Sequence, residues 1–146
     1  MAIKPYRGNF HTEWYPKTAS EVFTDGDLVF LSSGYVKTFA DDADNQPIGL
    51  ILKSVAATDS DYASNTMVPV LVGDRDSEFL CDIGTGTGAQ SYVGTWVDAD
   101  GTYDDTKIDV SASTYDVWKV TKHISTTQAV CKMASNTDPR PDSIVD

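Results

Sequence analysis

From Val22 onward, apolar and polar residues alternate in short runs separated by turn residues, a period of two that predicts half-buried strands rather than helices. Asp27-Leu28-Val29-Phe30-Leu31 reads as a strand, Ser32-Ser33-Gly34 turns it, and Tyr35-Val36-Lys37-Thr38-Phe39 returns as the second arm of a hairpin. After a polar loop at 41–46, Pro47 opens the run Ile48-Gly49-Leu50-Ile51-Leu52-Lys53-Ser54-Val55. This run is apolar on both faces in its middle, which predicts a central core strand. A polar loop at 57–65 precedes Met67-Val68-Pro69-Val70-Leu71-Val72, where Pro69, unable to donate to a ladder, predicts an edge position. Residues 77–83 place Phe79, Cys81 and Ile83 on one face and Glu78, Leu80 and Asp82 on the other, so Cys81 is expected to point inward. A strand is expected at 92–97, a long acidic connection at 98–109, and a hairpin formed by 115–124 and 128–133 around Ser125-Thr126-Thr127. About eight strands at this spacing, with no helix longer than two turns and no internal repeat, predict an all-β fold: a small β-barrel or sandwich over residues 21–135. Residues 136–146, with Pro139 and Pro141, read as a flexible C-terminal tail.

The first 20 residues show neither a helical nor a strand period, and Pro5, Gly8 and Pro16 punctuate them, so they read as an extended N-terminal arm. The arm combines Tyr6, Phe10, Trp14 and Tyr15 with Lys4, Arg7 and Lys17, side chains typical of interface anchors. Two destinations are open: the arm folds back on its own acidic body, or it docks on a neighbouring subunit or partner.

Composition agrees with the strand reading. The 146 residues include 14 valines and 16 threonines against 6 leucines, and 19 of the 22 acids are aspartate, a turn former. The length fits one domain with a sizeable core. A formal charge of −11 opposes the grip on phosphate backbones that nucleic-acid binding needs. No apolar run approaches a membrane span or a signal peptide, so synthesis in the cytoplasm without membrane association is expected. The charge is segregated: residues 1–20 carry +2, residues 21–116 carry −14 and residues 117–146 carry +1. The ends are basic and the middle is acidic.

Candidate chemistry is sparse. Asp98-Ala99-Asp100-Gly101-Thr102-Tyr103-Asp104-Asp105 resembles the start of a calcium loop. It lacks a third ligand before the glycine and a bidentate glutamate after it, so a solvated acidic loop without metal is expected. Gly84-Thr85-Gly86-Thr87-Gly88 lacks the lysine and helix of a phosphate loop and reads as a flexible connector. His11 lies in the arm and His123 in a strand, with no nucleophile elbow, so neither an enzyme nor a cofactor is expected. Cys81 and Cys131 have no metal-type spacing and read as buried thiols, with a disulfide as the lesser alternative.

Phe23-Thr24-Asp25-Gly26-Asp27-Leu28-Val29-Phe30-Leu31, Gly34-Tyr35-Val36-Lys37-Thr38-Phe39-Ala40 and Gln46-Pro47-Ile48-Gly49-Leu50-Ile51 together resemble the small capsid decoration (cement) proteins of tailed bacteriophages. Val93-Gly94-Thr95-Trp96-Val97, Asp100-Gly101-Thr102 and Ala129-Val130-Cys131-Lys132-Met133 are similar in order and spacing, and the long 98–109 connection and the aromatic basic arm depart from the pattern. The resemblance implies a β-barrel, often a homotrimer, on the outer capsid surface of a virion, where it binds the major capsid protein and stabilises the assembled shell. The arm residues Lys4, Tyr6, Arg7, Phe10, Trp14, Tyr15 and Lys17 are then the expected contacts. A carbohydrate-binding β-sandwich module, stacking sugars on Trp96 or Trp118, is the alternative, and a small hydrolase with coupled carboxylates a more distant one.

Overall fold

In the computed structural model, which describes residues 2–39, 46–100 and 106–134, the alternating runs form strands throughout, and the fold is all-β. The described strands are β1 (Ile3–Arg7), β2 (Phe10–Pro16), β3 (Leu28–Ser32), β4 (Tyr35–Thr38), β5 (Pro47–Ile51), β6 (Met67–Gly73), β7 (Glu78–Thr85), β8 (Trp96–Asp100), β9 (Lys107–Asp109), β10 (Trp118–His123) and β11 (Gln128–Met133). One sheet runs β1-β7-β11-β10-β8-β9, and β9 returns to pair in parallel with β7, closing a five-strand barrel of β7, β11, β10, β8 and β9. β1 extends the barrel wall: it pairs with the first half of β7, and β9 takes the second half on the same edge. The other sheet runs β2-β6-β5-β3-β4.

The barrel is filled by Phe79, Cys81, Val97, Ala99, Ile108, Trp118, Val120, Ala129, Cys131 and Met133. Leu28, Phe30, Phe39 and Leu50 from the second sheet join this cluster, so one face of that sheet packs on the barrel. Val29, Ile51, Val68 and Val70 point the opposite way, into a second cluster closed by Phe23, Val36 and Val55. Both faces of β5 are therefore covered, which is why its sequence is a continuous apolar run rather than an alternating one. The aromatic packing is edge to face: Phe10 on Phe79 at 5.3 Å and Phe79 on Trp118 at 5.6 Å between ring centroids.

Several expectations are corrected. Pro69 lies in β6, an interior strand between β2 and β5. Its carbonyl accepts from Leu52 N at 2.9 Å, so its missing N–H would have faced the residue just past the end of β5, where the ladder stops. Residues 92–94 are not strand: Gln90–Tyr92 form a 3₁₀ turn, and β8 begins at Trp96. The stretch expected as an acidic connection at 98–109 instead holds the last three residues of β8 and all of β9, paired Asp98 to Asp109 and Asp100 to Lys107. The glycine-threonine stretch is tied down: Thr85 Oγ1 donates to Asp100 at 2.7 Å and Gly88 N to the Thr126 carbonyl at 2.8 Å. Most of the polar loop at 41–46, the Gly101–Asp105 part of the calcium-like segment, and the tail from 135 lie outside the described residues.

Candidate interaction surfaces on the N-terminal strands and the barrel wall

The segment read as an arm is extended, and it is built into this chain's own sheets. Gly8, at φ +106°, bends the chain between β1 and β2, so β1 lies on the barrel and β2 edges the other sheet. The seven residues singled out there have different fates. Lys17 is fully buried, its Nζ donating to the carbonyls of Tyr62 at 2.8 Å and Ser64 at 2.7 Å, so it is withdrawn from any partner. Phe10 packs on the barrel core through Phe79, and Tyr15 packs against the second cluster. Lys4, Tyr6, Arg7 and Trp14 remain exposed.

Trp14 anchors an apolar row that the strand register defines. Phe10, Thr12, Trp14 and Pro16 share one face of β2, opposite Gly73, Leu71, Pro69 and Met67 of β6. On β5 the row continues through Leu50, opposite Leu71, to Leu52, whose N–H reaches Pro69. Phe10, Leu71 and Leu50 end of this face is covered by the barrel. Beyond the barrel, Trp14, Met67 and Leu52 stand 58%, 49% and 37% exposed beside Pro69. Single exposed apolar residues are ordinary, but these form a contiguous patch that runs from the edge strand β2 across β6 to the residue just past β5.

The two basic ends of the chain meet on the outside of the barrel, because β7 sits between β1 and β11. Glu78 is buried there, bound by the Arg7 guanidinium, with Nε at 2.7 Å, and by the Thr121 hydroxyl at 2.5 Å. Burial works against its charge, yet the hydrogen bonds from Thr121 and Arg7, with the Arg7 charge, prevail and hold its carboxyl below the ordinary value of 4.5. A carboxyl depressed in the folded state stabilises the fold above its ordinary range, and that contribution is lost as pH falls through the depressed value. Glu78→Gln is therefore expected to lower stability at neutral pH and to flatten the acid limb of thermal unfolding scanned from pH 6 to 3. An acid limb as steep as in the wild type would show that other carboxylates govern it.

The remaining candidates divide. Trp118 is fully buried, with no hydrogen-bond partner for its Nε1, because it points into the barrel; it offers no sugar platform. Trp96 faces outward, with the Lys119 ammonium 5.8 Å from its ring, and borders an open cavity of about 360 Å³ with Tyr92, Thr95, Ser111 and Ser113. A second cavity holds Glu21 and Asp27, but each carboxylate accepts a backbone N–H, from Thr38 at 2.7 Å and Thr24 at 3.0 Å. Asp98 is not a solvated loop residue: both its oxygens are taken by the N–H groups of Thr114, Tyr115 and Asp116. Cys81 and Cys131 are free, buried thiols, and burial together with the neighbouring Cys131 thiol pushes Cys81 well up. Among the described residues no group of three or more His, Cys, Asp or Glu is placed to hold a metal. No helix among them is long and apolar enough to cross a membrane. No protein-family model matches this chain, and no curated protein matches it.

Proposed function

We propose that this chain is a structural docking protein that decorates the outside of an assembled phage capsid, binding the major capsid protein and stabilising the shell. The observation that carries this reading is the exposed row of Trp14, Leu52 and Met67 beside Pro69, held on rigid strands. A large aromatic kept in place by a sheet binds without the ordering cost of a flexible segment. The sequence resemblance supplies the shell as partner and a homotrimer as the assembly. A protein that binds only the assembled lattice stabilises it by mass action, and three linked copies strengthen the effect.

Removing residues 1–20 is not a usable test, since it deletes two strands together with the buried Ile3 and Lys17. Trp14→Ala leaves the core intact, because Trp14 lies on the exposed part of its face. Co-sedimentation with expanded, undecorated shells is expected to saturate for the wild type and to weaken about 30-fold or more for Trp14→Ala, an interface hot-spot effect of ~2 kcal/mol. No binding by the folded wild type would overturn the shell reading. Binding by the variant at wild-type strength would remove the row from the interface.

The alternative, a glycan-binding module, is favoured by one feature, the outward Trp96 beside a hydroxyl-lined cavity. A tryptophan fluorescence shift on adding neutral oligosaccharides, abolished by Trp96→Ala, would decide for it.

A further inference from the structure

The outer wall of the barrel concentrates positive charge on a chain of net charge −11. Phe79, Cys81, Val97, Trp118, Val120, Ala129 and Cys131 point inward, so the residues alternating with them face out. One transverse row crosses five strands. Arg7 pairs with Glu78, Glu78 precedes the Phe79–Cys131 pair so that Lys132 follows next, Lys132 pairs with Lys119, and Lys119 with Trp96. The adjacent row runs from Lys4 through Leu80 and Val130 to Lys122. Five of the chain's 11 bases thus share a wall about 19 Å across, four strand spacings of ~4.8 Å. Four carboxylates accompany them, one being Asp98, buried beside Trp96 on β8 and held by three backbone N–H groups. Glu78 lies beneath Arg7, Asp76 stands at the margin 3.9 Å from Lys132, and Asp82 accepts from Gln128 at 3.0 Å.

We propose that this wall is a second docking face, one that takes an acidic patch on the partner protein, with Lys4, Lys119, Lys122 and Lys132 supplying the charge and Trp96 the aromatic anchor. That the partner is the shell rests on the function proposed above; that it is acidic rests on the wall alone. The boundary of the wall argues for a protein patch over a polyanion. A nucleic acid or an anionic polysaccharide running past the edge would meet Asp76 at one margin and Asp100 and Asp109 on β8 and β9, which alternate with the inward Ala99 and Ile108, whereas a compact acidic patch would not. Lys119, already lying over the Trp96 ring, holds that ring in place and presents cation and aromatic together.

The test compares the wild type with Lys119→Gln/Lys132→Gln and Lys119→Glu/Lys132→Glu, with Lys37→Glu, exposed on β4 of the other sheet, as the net-charge control. Circular dichroism checks that each is folded. Two probes are used: expanded undecorated shells, and an immobilised 15-residue oligo-glutamate peptide. The wild type and Lys37→Glu are expected to bind both, with affinity for each falling about tenfold between 50 and 300 mM salt. The Gln pair is expected to bind at least about tenfold more weakly with a shallower salt slope, and the Glu pair not to bind the peptide. Wild-type behaviour of both pairs on both probes would overturn the wall as a docking face. Peptide binding without shell binding would leave the acidic-patch inference standing and overturn the shell reading. Tighter wall-dependent binding to a 30-nucleotide single-stranded DNA than to the peptide would overturn the choice of a protein partner.

Discussion

Replacing Asp98 by alanine is expected to destabilise the fold by about 3 kcal/mol, since it removes a buried carboxylate from three backbone donors. Asp98 Oδ1 accepts from Tyr115 N at 2.8 Å and Asp116 N at 2.9 Å, and Oδ2 from Thr114 N at 3.0 Å. Its own N–H donates to the Ala112 carbonyl at 3.0 Å, so the segment from 112 to 116 wraps around one residue of β8. That wrapping sets the entry of the next strand: Asp116 adopts φ +52°, Val117 N bonds to the Val97 carbonyl, and Trp118 turns into the barrel. Without the carboxylate, three N–H groups lose their acceptor, and the strained backbone at Asp116 loses what holds it. Asp98→Asn separates the contributions. Its amide oxygen can keep the Tyr115 and Asp116 donors, while its NH₂ opposes the Thr114 N–H, so about half of the loss is expected. Urea unfolding of the three proteins measures this. An alanine variant within ~1 kcal/mol of the wild type would show that the loop is held by its packing instead.

How far the sequence discloses the fold follows from how local each signal is. The β3–β4 hairpin, the doubly buried β5 and the inward Cys81 are legible because alternation within one strand reports which faces are covered. β1 and β2 are not, because edge strands buried along little of their length keep no hydrophobic period; in β1 only Ile3 is buried. β9 is three residues long and is defined by its partners, β7 and β8, rather than by its own pattern. Pro69 misleads because the edge rule concerns a missing donor, and here that donor would have faced only Leu52, past the end of β5, so the ladder within the strands loses nothing.

The candidate surfaces divide along the same line. Basic ends and an acidic middle are plain in the sequence, as are the aromatics of the first 20 residues. That the two ends form one wall depends on β7 lying between β1 and β11, a pairing of residues more than 40 positions apart that no local pattern encodes. For the same reason Lys17 and Lys4 look equivalent in sequence, yet one is sealed by two carbonyls of the 62–64 turn and the other faces out. Glu78 is the reverse case. Its place on the polar face of β7 predicts exposure, but Arg7 and Thr121, from strands on either side, cover it.

Gly49→Ala is expected to be the most damaging one-carbon change in the second sheet, costing about 3 kcal/mol, at the upper end for overpacking a core. A Cβ at Gly49 would overlap the Leu71 carbonyl oxygen and come within 3.0 Å of Leu71 C and Val70 Cγ1. Most of what it meets is backbone, and β5 has no room to yield, since β3 and β6 hold it on both sides. The close approach is to β6, while on the other side the register of β3 against β5 shifts at this point, with Val29 opposite Gly49 and Phe30 opposite Pro47. The glycine of the Pro47-Ile48-Gly49-Leu50 motif is thus a packing requirement. Gly34→Ala is the comparison: nothing lies within 4 Å of its added Cβ, and only the turn conformation at φ +87° is penalised, about 1 kcal/mol. Thermal unfolding of the two variants should place Gly49→Ala well below Gly34→Ala. Equal midpoints would mean that β5 can move away from β6, and that the sheet carrying Trp14 is softer than its packing implies.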